Sequence, residues 1–355
     1  MGGNEIVMGG HGFYNAHSQL QNSAISYGLP FLQRALTEVA LPASDRPFVV
    51  ADYGSSEGRN SMEVMAIVVR EVRRRAPDTL PISIVHVDQP ANDFSSLFTL
   101  LQSSPGSYLC ETQGVFAYAT GGTFYGRLFP DGQVSLGWSS IAIHWLSRLP
   151  ATDPDHIASG HSPPHIFARF SEQAREDWEC FLTHRAHELR TGGRLVVVGG
   201  SADAQGIYGG EPLYDVANRI LQQLVRDGYL RAQEYARMMV PTYHRTPEEF
   251  AEPLQQGTLR GRLLLEAQSQ VTMPDPLWEQ FGKAGDIQSF ASKQTAWLRA
   301  WSEPSLFRHL DADRSPDNSS RIIEEFYGRV RLAIVQDPLA ARCNWKISIL
   351  LIAKP

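Results

Sequence analysis

The stretch VVADYGSSEGRNS, residues 49–61, decides the fold class. The apolar, β-branched run that begins at Phe48 predicts a buried strand, which Asp52 and Gly54 bring to an end. Helical spacing begins at Asn60. A strand, a glycine turn and a helix in this order are typical of a nucleotide-binding loop in an α/β sheet.

The glycine spacing of this loop excludes the phosphate-cradling types. Gly54 and Gly58 fit neither GxxxxGK[ST] nor GxGxxG. Asp52 lies on the strand itself and would repel a pyrophosphate, whereas it suits a cationic or hydroxylated ligand. A second acid, Asp88, ends the next predicted strand, where a carboxylate accepts hydrogen bonds from ribose hydroxyls. The two acids favour S-adenosylmethionine, which carries no phosphate; the alternative is that both acids only cap turns and helices.

Strand and helix patterns alternate along residues 1–200. Predicted strands cover residues 48–54, 82–88, 134–140 and 194–200, and predicted helices cover residues 60–75 and 166–189. This order predicts an α/β domain with a parallel sheet and helices on both faces. Ligands bind such sheets beyond the carboxyl ends of the strands, so Asp52, Asp88 and Ser139 are expected to converge on one crevice.

The second half of the chain has a different pattern. Residues 201–318 are predicted to form a mostly helical cap with few strands, including helices at residues 211–230 and 230–239. A helix at residues 320–338 and a strand at residues 345–353 return to the first domain. The predicted division is therefore residues 1–200 with 319–355 as one unit and residues 201–318 as the other.

Composition narrows the class of protein. The chain has 355 residues, of which 43% are hydrophobic, and a net charge of -6, which does not favour a nucleic-acid partner. Its three cysteines form no CxxC pair, which indicates a reducing compartment. No apolar run approaches the ~20 residues of a membrane span, and no secretory signal is visible. We expect a cytoplasmic protein without a membrane span.

One loop contains several residues of the types that ligate metals. The segment DPDHIASGHSPPH, residues 153–165, holds Asp153, Asp155, His156, His161 and His165. Their spacing is irregular and the segment is rich in proline, so a surface loop is favoured over a metal site.

Six segments, in order along the chain, carry a resemblance to a known family. They are MGGHGFYNAHSQLQNSAI, ADYGSSEGRNS, VDQPANDFSSLF, GGTFYGRLFP, SSIAIHWLSRLP and SEPSLF. The sequence resembles the SABATH family of S-adenosylmethionine-dependent carboxyl methyltransferases, which includes salicylate, benzoate, jasmonate and indole-acetate methyltransferases. The resemblance implies a Rossmann-like class I methyltransferase sheet with a helical cap, and a homodimer.

The resemblance also implies which residues hold the donor, with S-adenosylhomocysteine as the product. Asp52, Gly54 and Asn60 match positions that hold the methionine moiety, and Tyr14 and Ser18 match residues folded over the same site. The nucleoside is matched by Asp88 at the ribose, Gln89 beside the adenosine, and Thr123 and Phe124 beside adenine. Ser139 joins this group as an expected strand-end contact.

The resemblance likewise implies which residues hold the acceptor. Gln21 and Trp145 match the groups that hydrogen-bond the substrate carboxylate, and His144 matches the pocket wall. Other wall positions match Ile141, Tyr214, Leu298 and Trp345.

These residue types suit carboxyl methylation. A carboxylic acid has a pKa near ~4 and is ionised at neutral pH, so its methylation needs no general base. Alignment and desolvation of the reactants are then the main tasks. Gln21 and Trp145 are neutral donors that fix one carboxylate oxygen while the other attacks. A cationic anchor would stabilise the reactant state, which lowers KM without raising the rate of the chemical step.

Three departures from the family pattern qualify the prediction. The family carries tyrosine at the position of Ile141. The apolar side chain favours a benzoate-like acid or a medium-chain fatty acid as the acceptor. Two residues are missing between Gly12 and Tyr14. The segment ARMMVPTY lacks the acid and amide of the metal-binding members, so no metal is predicted. The alternatives are an N-methyltransferase of a purine-like ring and a non-catalytic donor-binding protein.

Overall fold

The protein is described by a computed structural model that covers residues 19–43, 45–110 and 113–355. Its centre is a seven-stranded sheet in the order β3-β2-β1-β4-β5-β7-β6. The strands are β1 Phe48–Tyr53, β2 Ile82–Asp88, β3 Val115–Gly121, β4 Val134–Ser140, β5 Leu189–Gly200, β6 Leu264–Met273 and β7 Trp345–Ala353. Neighbours among β1 to β5 pair in parallel, whereas β7 runs antiparallel to both β5 and β6.

Helices cover both faces of the sheet and form the cap. They are α1 Gln19–Glu38, α2 Arg59–Arg75, α3 Phe94–Ser103, α4 Pro164–Glu188, α5 Glu211–Arg226, α6 Ala232–Tyr235, α7 Pro247–Gln255, α8 Pro276–Ala284, α9 Ile287–Phe307 and α10 Pro316–Gln336. Short 3-10 turns lie at Ser159–His161 and Pro338–Ala341. Within the described ranges, no helix is long and apolar enough to cross a membrane.

The alternation of side chains along each strand divides the core into two layers. On β5, Val196 and Val198 pack into the larger cluster with α1, α2, the cap helices α5 and α9, and α10. Leu195 and Val197 point the other way and pack with Trp178 of α4. Because successive residues of a strand face opposite sides, one apolar strand serves both layers.

Two strands and one helix differ from the sequence-based prediction. The edge strands β3 and β6 were not predicted; β6 is paired on one side only and its apolar pattern is interrupted by polar residues. In β6, Leu264 remains 54% exposed. The helix predicted at residues 230–239 is confined to Ala232–Tyr235. The predicted parallel sheet is mixed, because β6 and β7 are antiparallel to their neighbours.

The cap is joined to the sheet more closely than its sequence pattern indicated. Strand β6 belongs to residues 201–318, yet it pairs with β7 from residue 264 to residue 273. The two-part division of the chain therefore stays a prediction, with one strand of the second part built into the sheet of the first.

Candidate active site

The carboxyl ends of β1, β2 and β4 open into a cavity whose empty space, together with the open solvent at its mouth, is about 970 Å³. Most of the residues expected to bind the donor or the reacting carboxylate line this one cavity: Gln21, Asp52, Gly54, Asn60, Asp88, Gln89, Phe124, Ile141 and Trp145. The crevice at the strand ends is thus where the sequence pattern placed it, since parallel strands deliver their carboxyl ends to one edge.

Glycine is required at the turn that follows β1. Gly54 has a φ of 86°, which side chains rarely adopt, and a Cβ added there would overlap the Cβ of Ala142. The backbone N–H groups of Gly54 and Ser55 both donate to the carbonyl of Val87, at 2.9 and 3.1 Å. These bonds tie the loop to β2 and hold it open toward the cavity.

Asp88 is held at the end of β2 by two backbone donors. The N–H of Ser56 donates to one carboxylate oxygen at 2.7 Å, and the N–H of Gln89 donates to the other at 2.8 Å. Burial raises the pKa of Asp88 to about 6, although these two hydrogen bonds oppose the shift. Each oxygen keeps a further lone pair, which suits the two hydroxyls of a ribose.

Asp52 lies at one end of a buried chain of hydrogen bonds, a relay that the sequence analysis did not predict. Its Oδ2 lies 2.8 Å from Nδ1 of His86, and Nε2 of His86 lies 2.8 Å from the hydroxyl of Tyr108. All three side chains are buried. Asp52 and His86 are paired neighbours on adjacent parallel strands, so the histidine inside the apolar run ISIVHVD was the available signal.

The polar lining of the large cavity fits an uncharged nucleoside with a cationic end. Ser55, Ser56 and Ser140 are among the lining residues, and within the described ranges the hydroxyl of each is buried without a hydrogen-bond partner. Buried hydroxyls normally find partners. Together with Asp52 and Asp88, they offer hydrogen bonds and negative charge and no site for a phosphate.

Four residues predicted to bind the donor do not line this cavity or cannot be placed. Ser139 is fully buried and donates its hydroxyl to the carbonyl of Tyr53 at 3.0 Å. Thr123 is exposed, and its hydroxyl accepts from the N–H of Tyr125 at 3.3 Å. Ser139 differs from its neighbour Ser140, which is among the lining residues, since a strand turns successive side chains to opposite faces. Tyr14 and Ser18 lie outside the described residues.

A second, smaller cavity of about 310 Å³ adjoins the first. Five of its eight lining residues have aromatic rings, and the full lining is Gln21, Ile141, His144, Trp145, Tyr214, Thr242, Trp301 and Trp345. Gln21, Ile141 and Trp145 line both cavities and therefore form the junction. Leu298 lies in neither lining, because it faces the cap core and is 1% exposed.

The amide of Gln21 is oriented by a tryptophan of α9. Nε1 of Trp297 donates to Oε1 of Gln21 at 3.1 Å, and the pair is buried. An indole N–H is only a donor, so the amide oxygen must face it and the amide nitrogen must face away. Trp297 and Trp301 were not predicted, although their i, i+4 spacing places both rings on one face of α9.

His144 is neutral at every pH near neutrality. Burial and, to a smaller extent, the charge of the nearby Arg245 lower the pKa of His144 to about 3. Its ring stacks on that of His244, with ring centroids 5.5 Å apart. His144 is thus suited to form a wall and a neutral hydrogen bond, and it is unsuited to act as a base.

The backbone is strained at the junction of the two cavities. Ile141 has a φ of 51°, which is rare for a β-branched residue. Its N–H donates to the carbonyl of Val198 at 2.7 Å, which holds the turn in place. Such strain persists where the surrounding structure over-determines the conformation, and it clusters at functional sites.

A comparison with protein-family models decides the family. The model described as SAM dependent carboxyl methyltransferase matches residues 5–351. The chain belongs to this family of carboxyl methyltransferases. The enzyme accordingly uses S-adenosylmethionine as its methyl donor, as the loop at residues 49–61 indicated.

Curated relatives and a solved structure agree with this assignment. The enzyme is 26% identical over 350 residues to a salicylate carboxymethyltransferase of Clarkia breweri, which covers 92% of this chain and 90% of the relative. It is 29% identical over 275 residues to an indole-3-acetate O-methyltransferase of Oryza sativa subsp. japonica, covering 68% of each chain. A loganic acid methyltransferase with SAH superposes with a TM-score of 0.81 at 20% identity, covering 99% of this chain and 98% of that one. The fold is that of the class I methyltransferases.

A cluster near the surface of the enzyme has the residue types of a metal site but not the geometry. His156, His161 and Asp215 bring their ligand atoms within 4.8 Å of one another. However, the two imidazole rings stack with centroids 4.2 Å apart and planes at 19°. A metal lies near the plane of each imidazole that binds it, and two stacked planes share no such position. The geometry favours a hydrogen-bonded cluster around Asp215.

Proposed function

We propose that the enzyme methylates the carboxylate of a small, largely apolar acid, with Gln21 and Trp145 as the groups that hold the carboxylate. The observation that carries the proposal is the anchored amide of Gln21 at the junction of the two cavities. Its nitrogen faces away from Trp297 and is available to donate. Trp145 lines the same junction and supplies a second neutral donor.

The large cavity is the proposed donor site. The Asp52 carboxylate, with Gly54 and Asn60, suits the methionine end, and Asp88 and Gln89 suit the ribose and adenosine. Phe124 offers an aromatic edge for adenine. Thr123 and Ser139 are not part of this proposal, and Tyr14 and Ser18 remain predictions from the family resemblance. S-adenosylmethionine supplies an electrophilic methyl group on sulfur.

The protein's part in the reaction is positioning. The acid arrives ionised, so the carboxylate oxygen is already a nucleophile. Gln21 and Trp145 fix one oxygen and leave the other free to face the methyl group across the junction. His144 is neutral and takes no proton. Exclusion of water by the aromatic wall strengthens these hydrogen bonds, and alignment of two bound reactants supplies up to ~7 to 11 kcal/mol of the barrier reduction.

The shape of the smaller cavity favours a compact acceptor. Its flat indole and imidazole walls suit a planar ring acid such as benzoate. A medium-chain fatty acid is the alternative acceptor and would have to fold against Trp301 and Trp345. Salicylate and indole-3-acetate are named for relatives and belong in the same test.

A radiolabelled-donor assay tests the proposal. Purified enzyme is incubated with labelled S-adenosylmethionine and benzoate, salicylate, indole-acetate, medium-chain fatty acids or xanthine. We expect a methyl ester from at least one acid and no product from xanthine. Gln21→Ala and Trp145→Ala should lower turnover while donor binding, measured by calorimetry, persists. Donor binding without an ester from any acid would contradict the carboxylate assignment and support a non-catalytic protein.

The expected homodimer, the cytoplasmic location and the cap boundaries at residues 201 and 318 stay predictions. Sedimentation equilibrium of the purified chain tests the first of them. The site described above is built from residues of one chain, so the proposal does not depend on the oligomeric state.

A further inference from the structure

The side chain of Tyr125 joins the wall of the large cavity to the turn that carries Trp145. Tyr125 is among the residues that line the large cavity, and its ring lies beside that of Phe124, with ring centroids 4.7 Å apart. The hydroxyl of Tyr125 donates to the carbonyl of Trp145 at 2.5 Å. Because Trp145 lines both cavities, this one hydrogen bond connects the two sites.

The proton of this hydroxyl goes to Trp145 and not to the nearby carbonyl of Ile143. That carbonyl lies farther from the hydroxyl, at 3.3 Å, and it already accepts from Nη1 of Arg245 at 2.7 Å. A tyrosine hydroxyl has one proton to donate. Burial raises the pKa of Tyr125 above its usual value, so the hydroxyl keeps its proton at every pH near neutrality.

The two ends of the hydrogen bond are held differently. The main chain at Tyr125 is fastened to α4, because Arg185 donates to the carbonyl of Phe124 at 2.7 Å and the thiol of Cys180 donates to the carbonyl of Tyr125 at 3.0 Å. Among the described residues, the carbonyl of Trp145 accepts from the hydroxyl of Tyr125 alone. Tyr125 is therefore the anchored partner, and its hydroxyl fixes the main chain at Trp145.

From this contact we propose that Tyr125 is a positioning residue for the methyl transfer, which holds Trp145 from the side of the methyl donor and makes the affinity for the acid depend on the bound nucleoside. The inference rests on the proposed function, because it takes Trp145 as one of the two groups that hold the carboxylate. Tyr125 acts on the acid only through Trp145.

The physical reason is that one side chain is ordered by one ligand and used by the other. A nucleoside in the large cavity restricts the motion of the side chains that line it, including Tyr125. The acid then binds to a Trp145 that is already held in place, so less ordering remains to oppose its binding. Two sites linked in this way have a coupling free energy, and each ligand raises the affinity for the other by the same factor.

The turn that carries Trp145 has a second support, which does not depend on the nucleoside. Arg245 is 1% exposed and lines neither cavity. Besides Ile143, its guanidinium donates to the carbonyl of Ala174 from Nε at 3.2 Å and from Nη2 at 2.6 Å. These bonds keep the turn folded when the hydroxyl of Tyr125 is removed, so a variant of Tyr125 reports on positioning.

Calorimetry on Tyr125→Phe tests the inference. The acid is the best substrate of the radiolabelled-donor assay, and its Kd is measured with and without saturating S-adenosylhomocysteine, which has no methyl group to transfer. In the wild type, we expect S-adenosylhomocysteine to lower the Kd for the acid about fivefold or more. Tyr125→Phe should reduce this ratio about three- to tenfold or to unity, as the loss of one hydrogen bond predicts. The Kd for S-adenosylhomocysteine alone should be unchanged.

Two further variants separate positioning from packing. Tyr125→para-aminophenylalanine returns an N–H donor to the place of the hydroxyl and should recover most of the ratio. Tyr235→Phe is the matched control, because Tyr125 and Tyr235 are each 8% exposed and Tyr235 lines neither cavity. The hydroxyl of Tyr235 donates to the carbonyl of Asp155 at 2.8 Å, so its removal also costs one buried hydrogen bond. The control should keep the wild-type ratio.

Three results would overturn the inference. A wild-type ratio in Tyr125→Phe shows that the hydroxyl does not link the two sites. Equal losses in Tyr125→Phe and Tyr235→Phe, or no recovery in Tyr125→para-aminophenylalanine, show that the loss arises from packing. Failure of every acid to give an ester removes the proposed function itself, and it is distinct from the first two results because those are measured in an enzyme that makes the ester.

Discussion

The indole N–H of Trp297 donates to the amide oxygen of Gln21 at 3.1 Å, across 276 positions of sequence. The bond joins α1, at one edge of the donor cavity, to α9 of the cap. It gives the amide one orientation, because only the amide oxygen is able to accept from an indole. The nitrogen of Gln21 is thereby left for the acceptor.

Trp297→Phe should slow the reaction without weakening donor binding. Loss of the bond frees the Gln21 amide to rotate, and one neutral hydrogen bond contributes about 0.5–1.5 kcal/mol, so kcat/KM for the acceptor should fall roughly three- to tenfold. Calorimetry with S-adenosylhomocysteine should give an unchanged Kd. A Kd that rises by the same factor would indicate a general loss of structure rather than a loss of Gln21 orientation.

Donor affinity should fall in acid because of Asp88. Burial raises its pKa to about 6 in the donor-free protein, and the ionised carboxylate is the better acceptor for ribose hydroxyls. The Kd for S-adenosylhomocysteine should be constant above about pH 7 and rise up to ~tenfold per pH unit below the pKa. Calorimetry across this pH range measures the Kd. Asp88→Asn should bind more weakly and lose most of the pH dependence.

The raised pKa of Asp88 has the opposite pH dependence in the stability of the donor-free protein, which it favours at low pH. The folded pKa of Asp88 lies above its unfolded value of 3.8, so the folded state binds more protons between the two. Its contribution to the free energy of unfolding is therefore greatest below the unfolded pKa and is lost as pH rises through about 6. We would compare the thermal unfolding of the wild type and of Asp88→Asn across this pH range. The difference separates the contribution of Asp88 from those of the other carboxyl groups.

Turnover at saturation should not depend on a base. His144 has a pKa of about 3 and is neutral throughout the working range. With donor and acceptor both saturating, kcat should be flat between about pH 6.5 and 8.5, since the carboxylate acceptor is already ionised. An inflection in this range that disappears in His144→Phe would show that the histidine exchanges a proton during the reaction.

Tyr108→Phe tests the buried relay behind Asp52. Removal of the hydroxyl leaves Nε2 of the buried His86 without its partner, which loosens the ring that holds Asp52. We expect donor Kd to rise about three- to tenfold while acceptor KM is unchanged at saturating donor. Tyr327→Phe is a matched control, because that buried hydroxyl bonds Ser302 far from the donor loop. Equal losses of donor affinity in both variants would contradict the relay's role.

We expect Gly54→Ala to abolish donor binding, which is a larger loss than backbone strain alone would cause. The added methyl meets Ala142 and the residue must also keep a φ of 86°. Gly132→Ala carries the same kind of strain, with a φ of 64°, but nothing lies within 4 Å of its added Cβ. The control should lose about 1 kcal/mol of stability and keep its donor affinity. Comparable donor affinities in the two variants would contradict the proposed fit of the loop.

Much of the donor site was predictable from local sequence. Asp52, Gly54 and Asp88 lie where strands end, and parallel strands bring their carboxyl ends to one edge whatever the rest of the chain does. Ser139, in contrast, is not among the residues that line the cavity. A strand end is easy to place to within a residue or two, but a shift of one residue turns a side chain to the opposite face.

The edge strands and the acceptor wall were harder to predict. The edge strands β3 and β6 are each paired on one side only, and in β6 polar residues interrupt the apolar pattern. Trp301, Thr242 and Trp297 come from segments whose local pattern fits an ordinary packed helix or loop. Their approach to Gln21 depends on how the cap packs over the sheet, which no short-range pattern records.

The sequence by itself therefore determined the α/β class, the family and the chemistry of the donor loop, because these depend on residue type and spacing within one strand and turn. The tertiary structure alone decided which indole anchors Gln21 and that His86 supports Asp52. Those contacts join residues that are distant along the chain, and hydrogen-bond satisfaction in a buried site becomes visible only when every neighbour is in place.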